Sequence, residues 1–189
     1  MVLRQKGVVI GGLPAMNARY GPVFGLATLA MAGLCGCAAD QAPPAGEPSM
    51  YVSMASAEAT LDAGAAAAMI SGYRANNGLG GVSIDPELMQ LAQAQARAMA
   101  ANDKLDHNVV RDFGSRIAGY KSKAAAENIG AGYHTLAEAF SGWRDSPPHR
   151  QNMLLQGATR IGIAAAYAPK SKYRVFWALI LAEPAGGHG

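Results

Sequence analysis

The sequence predicts an α+β domain in which helices come first and a β-hairpin comes last. Three observations carry that reading. Residues 56–155 hold apolar positions at helical spacing, with caps and breakers between the runs. Residues 160–182 form two apolar, β-branched and aromatic stretches separated by a basic turn. A chain of 189 residues is long enough for one such layered domain plus a tail.

Taken in order, Ser56 to Asn76 reads as a first helix carrying Leu61, Met69, Ile70 and Tyr73, stopped by Asn76-Asn77-Gly78 and weakened by Gly64 and Gly72. The second helix is marked more clearly. Asp85 is a cap, Pro86 suits the first helical position, and Leu88, Leu91, Ala92, Gln95 and Met99 share one side as far as Asn102. Asp106, His107 and Asn108 then fall just past its end. A helical turn over Asp112 to Ala118 follows, ended by Gly119-Tyr120. Ala124 to Tyr133 reads as a loop or short extended piece, because Gly130 and Gly132 suit a close backbone approach. Thr135 and Glu138 form a capping box for a helix that buries Leu136, Ala139, Phe140 and Trp143. Pro147-Pro148 stops it, and His149 to Leu155 forms a further short helix. Arg160–Tyr167 and Tyr173–Ala182 are the strands of the closing hairpin.

Ahead of the domain, residues 1–36 read as a signal peptide. Met16 offers an alternative start beside Arg19, and Tyr20 to Leu34 is an apolar core too short for a spanning helix, which needs roughly 20 residues. Leu34-Cys35-Gly36-Cys37 resembles the lipobox of bacterial lipoproteins, which implies lipid attachment at Cys37 and a membrane partner. Residues 37–55 then form a flexible tether with three prolines between Ala38 and Ser53. The domain is expected over residues 56–185, with a disordered Gly-rich end at 186–189. Ala38, rather than aspartate, follows the lipidated cysteine, which favours the outer membrane over the inner one.

The net charge of +3 belongs to the leader. Arg4, Lys6 and Arg19 are lost with it and it has no Asp or Glu, so 13 basic residues face 13 acidic ones in the remainder. Nucleic acid is therefore not an expected partner. No cysteine follows Cys37, so the domain is held without disulfides and without a cysteine nucleophile. No Gly-x-Ser-x-Gly elbow is present either.

Two of the four histidines, His107 and His149, lie in turns beside helices, where side chains from separate elements converge. With Glu127 they make a two-imidazole, one-carboxylate set. Such a set suits zinc or another divalent metal, or a general base near neutral pH. It is equally compatible with histidines that only bond backbone groups within loops. His134 is expected to face solvent, Arg150 is read as a solvent-facing cation, and Asn152 as an organiser of the loops around His149.

His107, Ala126-Glu127-Asn128-Ile129-Gly130, Gly132-Tyr133, Trp143, Ser146-Pro147-Pro148-His149-Arg150, Asn152-Met153-Leu154 and Ile161-Gly162-Ile163 together resemble the bacterial branch of the CAP superfamily. This superfamily comprises cysteine-rich secretory proteins, antigen 5 and pathogenesis-related proteins. The resemblance spans Ser71 to Glu183. It implies an α-β-α sandwich with helices flanking a small antiparallel sheet, and a cleft where His107, Glu127 and His149 face one another. Eukaryotic members carry a second glutamate where this chain has Ser146, which removes a charge from that cleft. Glu138 is assigned to its capping box, and Asp145 is the remaining candidate for a second carboxylate. The expectation is an exported, lipid-anchored binding module for a lipid, a cell-wall fragment or a protein, with a metal-dependent hydrolase as the alternative.

Overall fold

The structure, a computed structural model, describes residues 46–186, which fall within one compact unit, Ala42–Gly189. The leader, Cys37 and residues 187–189 lie outside the described residues. A 3₁₀ turn over Ser49–Tyr51 leads into α1 (Ala63–Ala75), β1 (Ser83–Ile84), α2 (Pro86–Asn102), α3 (Phe113–Ile117) and β2 (Ser122–Ala131). Then come α4 (Leu136–Asp145), α5 (Pro147–Met153), β3 (Arg160–Tyr167) and β4 (Val175–Pro184). No helix among the described residues is long and apolar enough to cross a membrane.

The four strands form one sheet in the order β1-β3-β4-β2. The expected hairpin is its centre, with β3 and β4 antiparallel from Arg160↔Ala182 to Tyr167↔Val175. The sheet is mixed rather than purely antiparallel, because the short β1 runs parallel to β3. Residues of β4 alternate between two cores. Val175, Trp177, Leu179 and Leu181 join α1, α4 and α5 on one face, and Phe176, Ala178, Ile180 and Ala182 join α2 on the other. Both faces are covered, which is why this hairpin reads as continuous apolar sequence instead of an alternation. The result is the α-β-α sandwich.

The α2 face is built from small residues. Ala164, Ala166, Ala178 and Ala182 meet Ala92 and Ala96 of the helix. At Gly162 the helix backbone itself touches the strand: a Cβ there would lie 2.1 Å from the carbonyl carbon of Leu88 and 2.6 Å from the nitrogen of Met89. The glycine between Ile161 and Ile163 is thus required by helix-on-sheet packing.

Local rules account for most ends. Asp85 accepts from the amides of Glu87 and Leu88, with Pro86 following it. The Thr135–Glu138 capping box is complete. The first helix begins later than expected, at Ala63, where Asp62 caps it by accepting from Ala65 N at 2.9 Å. The chain before it is held by other contacts. Ser49 Oγ donates to Asp62, the amide of Met54 bonds the His134 carbonyl, and Met54 is buried. The last part of the expected tether is therefore packed on the domain. Pro147 and Pro148 end α4 as expected and also open α5, whose first turn needs no amide from either proline.

Of the loop or short extended piece expected over Ala124–Tyr133, the extended alternative holds, and it is longer than expected: most of it is β2, a ten-residue edge strand paired with β4 from Ser122↔Pro184 to Ala131↔Phe176. Its four alanines and one glycine carry little strand propensity. It is recruited by the ladder that β4 offers, a tertiary effect.

Candidate functional site

The site is organised by two consecutive residues of that edge strand. Side chains of a strand alternate, so Glu127, opposite Ile180, points towards the α2 layer, and Asn128, opposite Leu179, points towards α4 and α5. Each secures one histidine from opposite sides of the sheet edge.

On the α2 side, His107 Nδ1 lies 2.8 Å from Glu127 Oε1. The same oxygen accepts from Arg116 Nη2 at 2.7 Å. The Glu127 side chain is 1% exposed and that of Arg116 8%, whereas that of His107 is 46% exposed. The imidazole is thus held at its inner nitrogen and open on its outer side. The loop carrying it is tied down twice more: Arg116 Nη2 donates to the His107 carbonyl at 3.1 Å, and Gln95 Nε2 donates to the Asp106 carbonyl at 2.9 Å. Asp112 caps α3 and so presents Arg116 from that helix's last turn.

On the other side, Asn128 Nδ2 donates to the His149 carbonyl at 2.9 Å. Asn152 Nδ2 donates to the Glu127 carbonyl at 3.1 Å and to Asn128 Oδ1 at 2.9 Å. These bonds clamp α5 to β2, with His149 in the first turn of that helix. Burial, and after it the charge of His107, lowers the His149 pKa, so the two imidazoles sense one another. Trp143 closes the far side of the strand as a core residue, its Nε1 donating to the Ile129 carbonyl at 3.1 Å.

The structure therefore brings His107, Glu127, His149 and Asn152 to one strand edge, but it gives Glu127 a different task from that of a metal ligand. Its Oε1 is shared by an imidazole and a guanidinium, while its Oε2 is buried without a hydrogen-bond partner. Among the described residues, no three His, Cys, Asp or Glu side chains stand where they could hold a metal ion. The other carboxylates are occupied elsewhere: Glu138 Oε2 takes the amides of His134 and Thr135, and Asp145 pairs with Arg144 on the surface. Ser146 joins α4 to α5 and forms no side-chain cap bond. His134 and Arg150 are exposed, as expected.

Sequence reasoning missed Arg116, Asn128 and Gln95. Gln95 left a signal, a polar residue on the apolar side of α2. Asn128 sat unremarked inside the Glu127 motif. Arg116 left none, since an arginine ending a short helix is usually solvated.

A family model described as CAP, the cysteine-rich secretory protein family, matches residues 67–181, more than half of the chain. The uncharacterized protein YkwD of Bacillus subtilis is 34% identical over 95 residues, covering 48% of this chain and 37% of that protein. The chain thus spans well under half of that relative. An extracellular protein containing an SCP domain from Bacillus anthracis superposes with a TM-score of 0.55 at 21% identity, over 64% of this chain and 39% of that one. An outer surface protein of Borrelia burgdorferi superposes with a TM-score of 0.57 at 19% identity, over 65% and 92%. At these identities the two structures establish the fold alone. With the sandwich, the motif blocks and the family match together, the chain belongs to the CAP, or cysteine-rich secretory protein, family, in its bacterial form.

Proposed function

We propose that this protein is an exported, lipid-anchored binding module, and that the strand edge bearing His107 and His149 is where it takes an envelope ligand: a lipid, a cell-wall fragment or a protein. The observation that carries the reading is the engagement of Glu127. The alternative read from the sequence, a hydrolase that uses Glu127 itself as metal ligand or base, needs that carboxylate free. Here that carboxylate is buried beneath His107 and bonded to it and to Arg116. What remains accessible is an oriented imidazole, suited to hydrogen bonding a ligand. Attachment at Cys37, the leader and the tether would place this surface at a membrane facing the envelope.

The test is co-sedimentation of the full chain with purified cell-wall sacculi and with phospholipid vesicles. Retention by one of them that drops at least tenfold in His107→Ala and His149→Ala supports the module. Cleavage of sacculi or of a peptide library by the purified chain, abolished by His149→Ala, would establish an enzyme instead. Variants that lower stability and change neither retention nor cleavage would leave the histidines a purely structural role.

A further inference from the structure

We propose that Arg116 is the positioning residue of this site: acting through Glu127, it fixes His107 as the Nδ1–H tautomer, so that Nε2 is presented outward as a hydrogen-bond acceptor. The relevance to ligand recognition rests on the binding reading above, whereas the tautomer assignment does not.

The argument starts from Glu127. Its side chain is 1% exposed, and a buried carboxylate is tolerated when a charge and hydrogen bonds offset its desolvation. Among the described residues, Arg116 is the Lys or Arg side chain that pairs with it, at 2.7 Å. A guanidinium does not release its proton, so beside it the carboxylate acts as an acceptor. Oε1 then accepts from Arg116 Nη2 and from His107 together, and the proton in the 2.8 Å contact must sit on Nδ1. In a neutral imidazole that leaves the lone pair on Nε2, on the exposed side of the ring. The site therefore offers an acceptor to a hydroxyl, amide or ammonium group.

Arg116 is itself built in rather than loosely placed. Besides Glu127 it bonds the carbonyls of His107 at 3.1 Å and Arg111 at 3.2 Å, and its guanidinium lies 5.4 Å from the centre of the Phe113 ring. These contacts gather residues 107–116 around the guanidinium. Without the guanidinium, Glu127 Oε1 loses its second partner and the loop loses the bond to the His107 carbonyl, so the ring is no longer held in one orientation with Nε2 outward.

The experiment is nitrogen-15 NMR of histidine-labelled full-length protein at neutral pH, supported by the retention assay. In the wild type, the His107 ring nitrogens should report Nδ1–H. Arg116→Gln should lose that signature and at least tenfold of the retention, and Arg116→Lys should restore both in large part. A purely packing role would not produce this exchange of ring hydrogen. An Nε2–H signature in the wild type overturns the proposal, as does an unchanged tautomer in folded Arg116→Gln. Should Arg116→Gln not fold, Arg116→Lys decides, since loss of the Nδ1–H signature despite the retained charge overturns the assignment. Failure of the wild type to bind sacculi or vesicles would sink the binding reading and leave the tautomer assignment intact.

Discussion

Replacing Arg74 with Met should be among the most damaging single changes in this domain, although no sequence pattern marks the residue. Arg74 ends α1 and is 1% exposed. Its guanidinium bonds four backbone carbonyls: Gly80 at 2.8 Å, and Met153, Leu155 and Ala158 at 2.9 Å each. No carboxylate pairs with it in the described residues. Two of these bonds, to Met153 and Ala158, are fully buried and two are partly buried. Methionine fills similar volume and removes the buried charge, but it orphans two carbonyls that water cannot reach, at about 1–3 kcal/mol each. The two partly buried carbonyls can rehydrate and add less. Arg74→Met should therefore cost about 3–5 kcal/mol, a large share of the roughly 5–15 kcal/mol that holds a domain together. Arg74→Lys should recover part of this, because one ammonium cannot span all four carbonyls. Urea unfolding followed by fluorescence of the buried Trp143 and Trp177 measures the loss, with the slope unchanged. A loss below about 1 kcal/mol for Arg74→Met would refute the reasoning. Met153 closes α5, so amide exchange at residues 153–158 should also accelerate, loosening the support beneath His149.

Gly162→Ala should cost about 3 kcal/mol or more, or prevent folding, because its Cβ would enter the backbone of Leu88 and Met89, which cannot move aside as a side chain can. Gly72→Ala, in the exposed middle of α1 with nothing within 4 Å of its Cβ, should instead stabilise by about 0.5–1 kcal/mol in the same assay. His149 supplies a pH test. Its pKa is lowered in the native state by burial and by the charge of His107, so below the ordinary histidine value of about 6.5 the unfolded chain binds the extra proton first. The contribution is complete above about pH 6.5 and declines as the pH falls towards the native value. Urea midpoints measured between about pH 5 and 7.5 should show this decline, and it should be shallower in His149→Gln; a variant with an unchanged slope would refute it.

Much of the sandwich was legible. Caps at Asp85 and Thr135, breakers at Gly78 and Pro147, and the apolar hairpin are local signals, because a terminus is decided by whether nearby side chains satisfy its free amides. Strand β2 was legible only as one of two alternatives, and not in its length. Its Ser-Lys-Ala-Ala-Ala-Glu-Asn-Ile-Gly-Ala sequence has weak local preference, and it becomes a strand because β4 supplies a partner over nine paired positions. Leaving it between a loop and a short extended piece also concealed that Glu127 and Asn128 must face opposite sides of the sheet.

By itself, the sequence determined most of the element types, the family motifs and four of the groups that meet at the site: His107, Glu127, His149 and Asn152. What only the tertiary structure decided is how Glu127 is used. A carboxylate in a motif is equally a ligand, a base or an anchor until its neighbours are known. Those neighbours, Arg116 from α3 and His107 from the loop after α2, reach it from 11 and 20 residues away. The same holds for Arg74, whose acceptors lie 6 to 84 residues along the chain. Side-chain charge and hydrogen-bonding capacity are written in the residue type, but which partner consumes them depends on distances that only the folded chain sets.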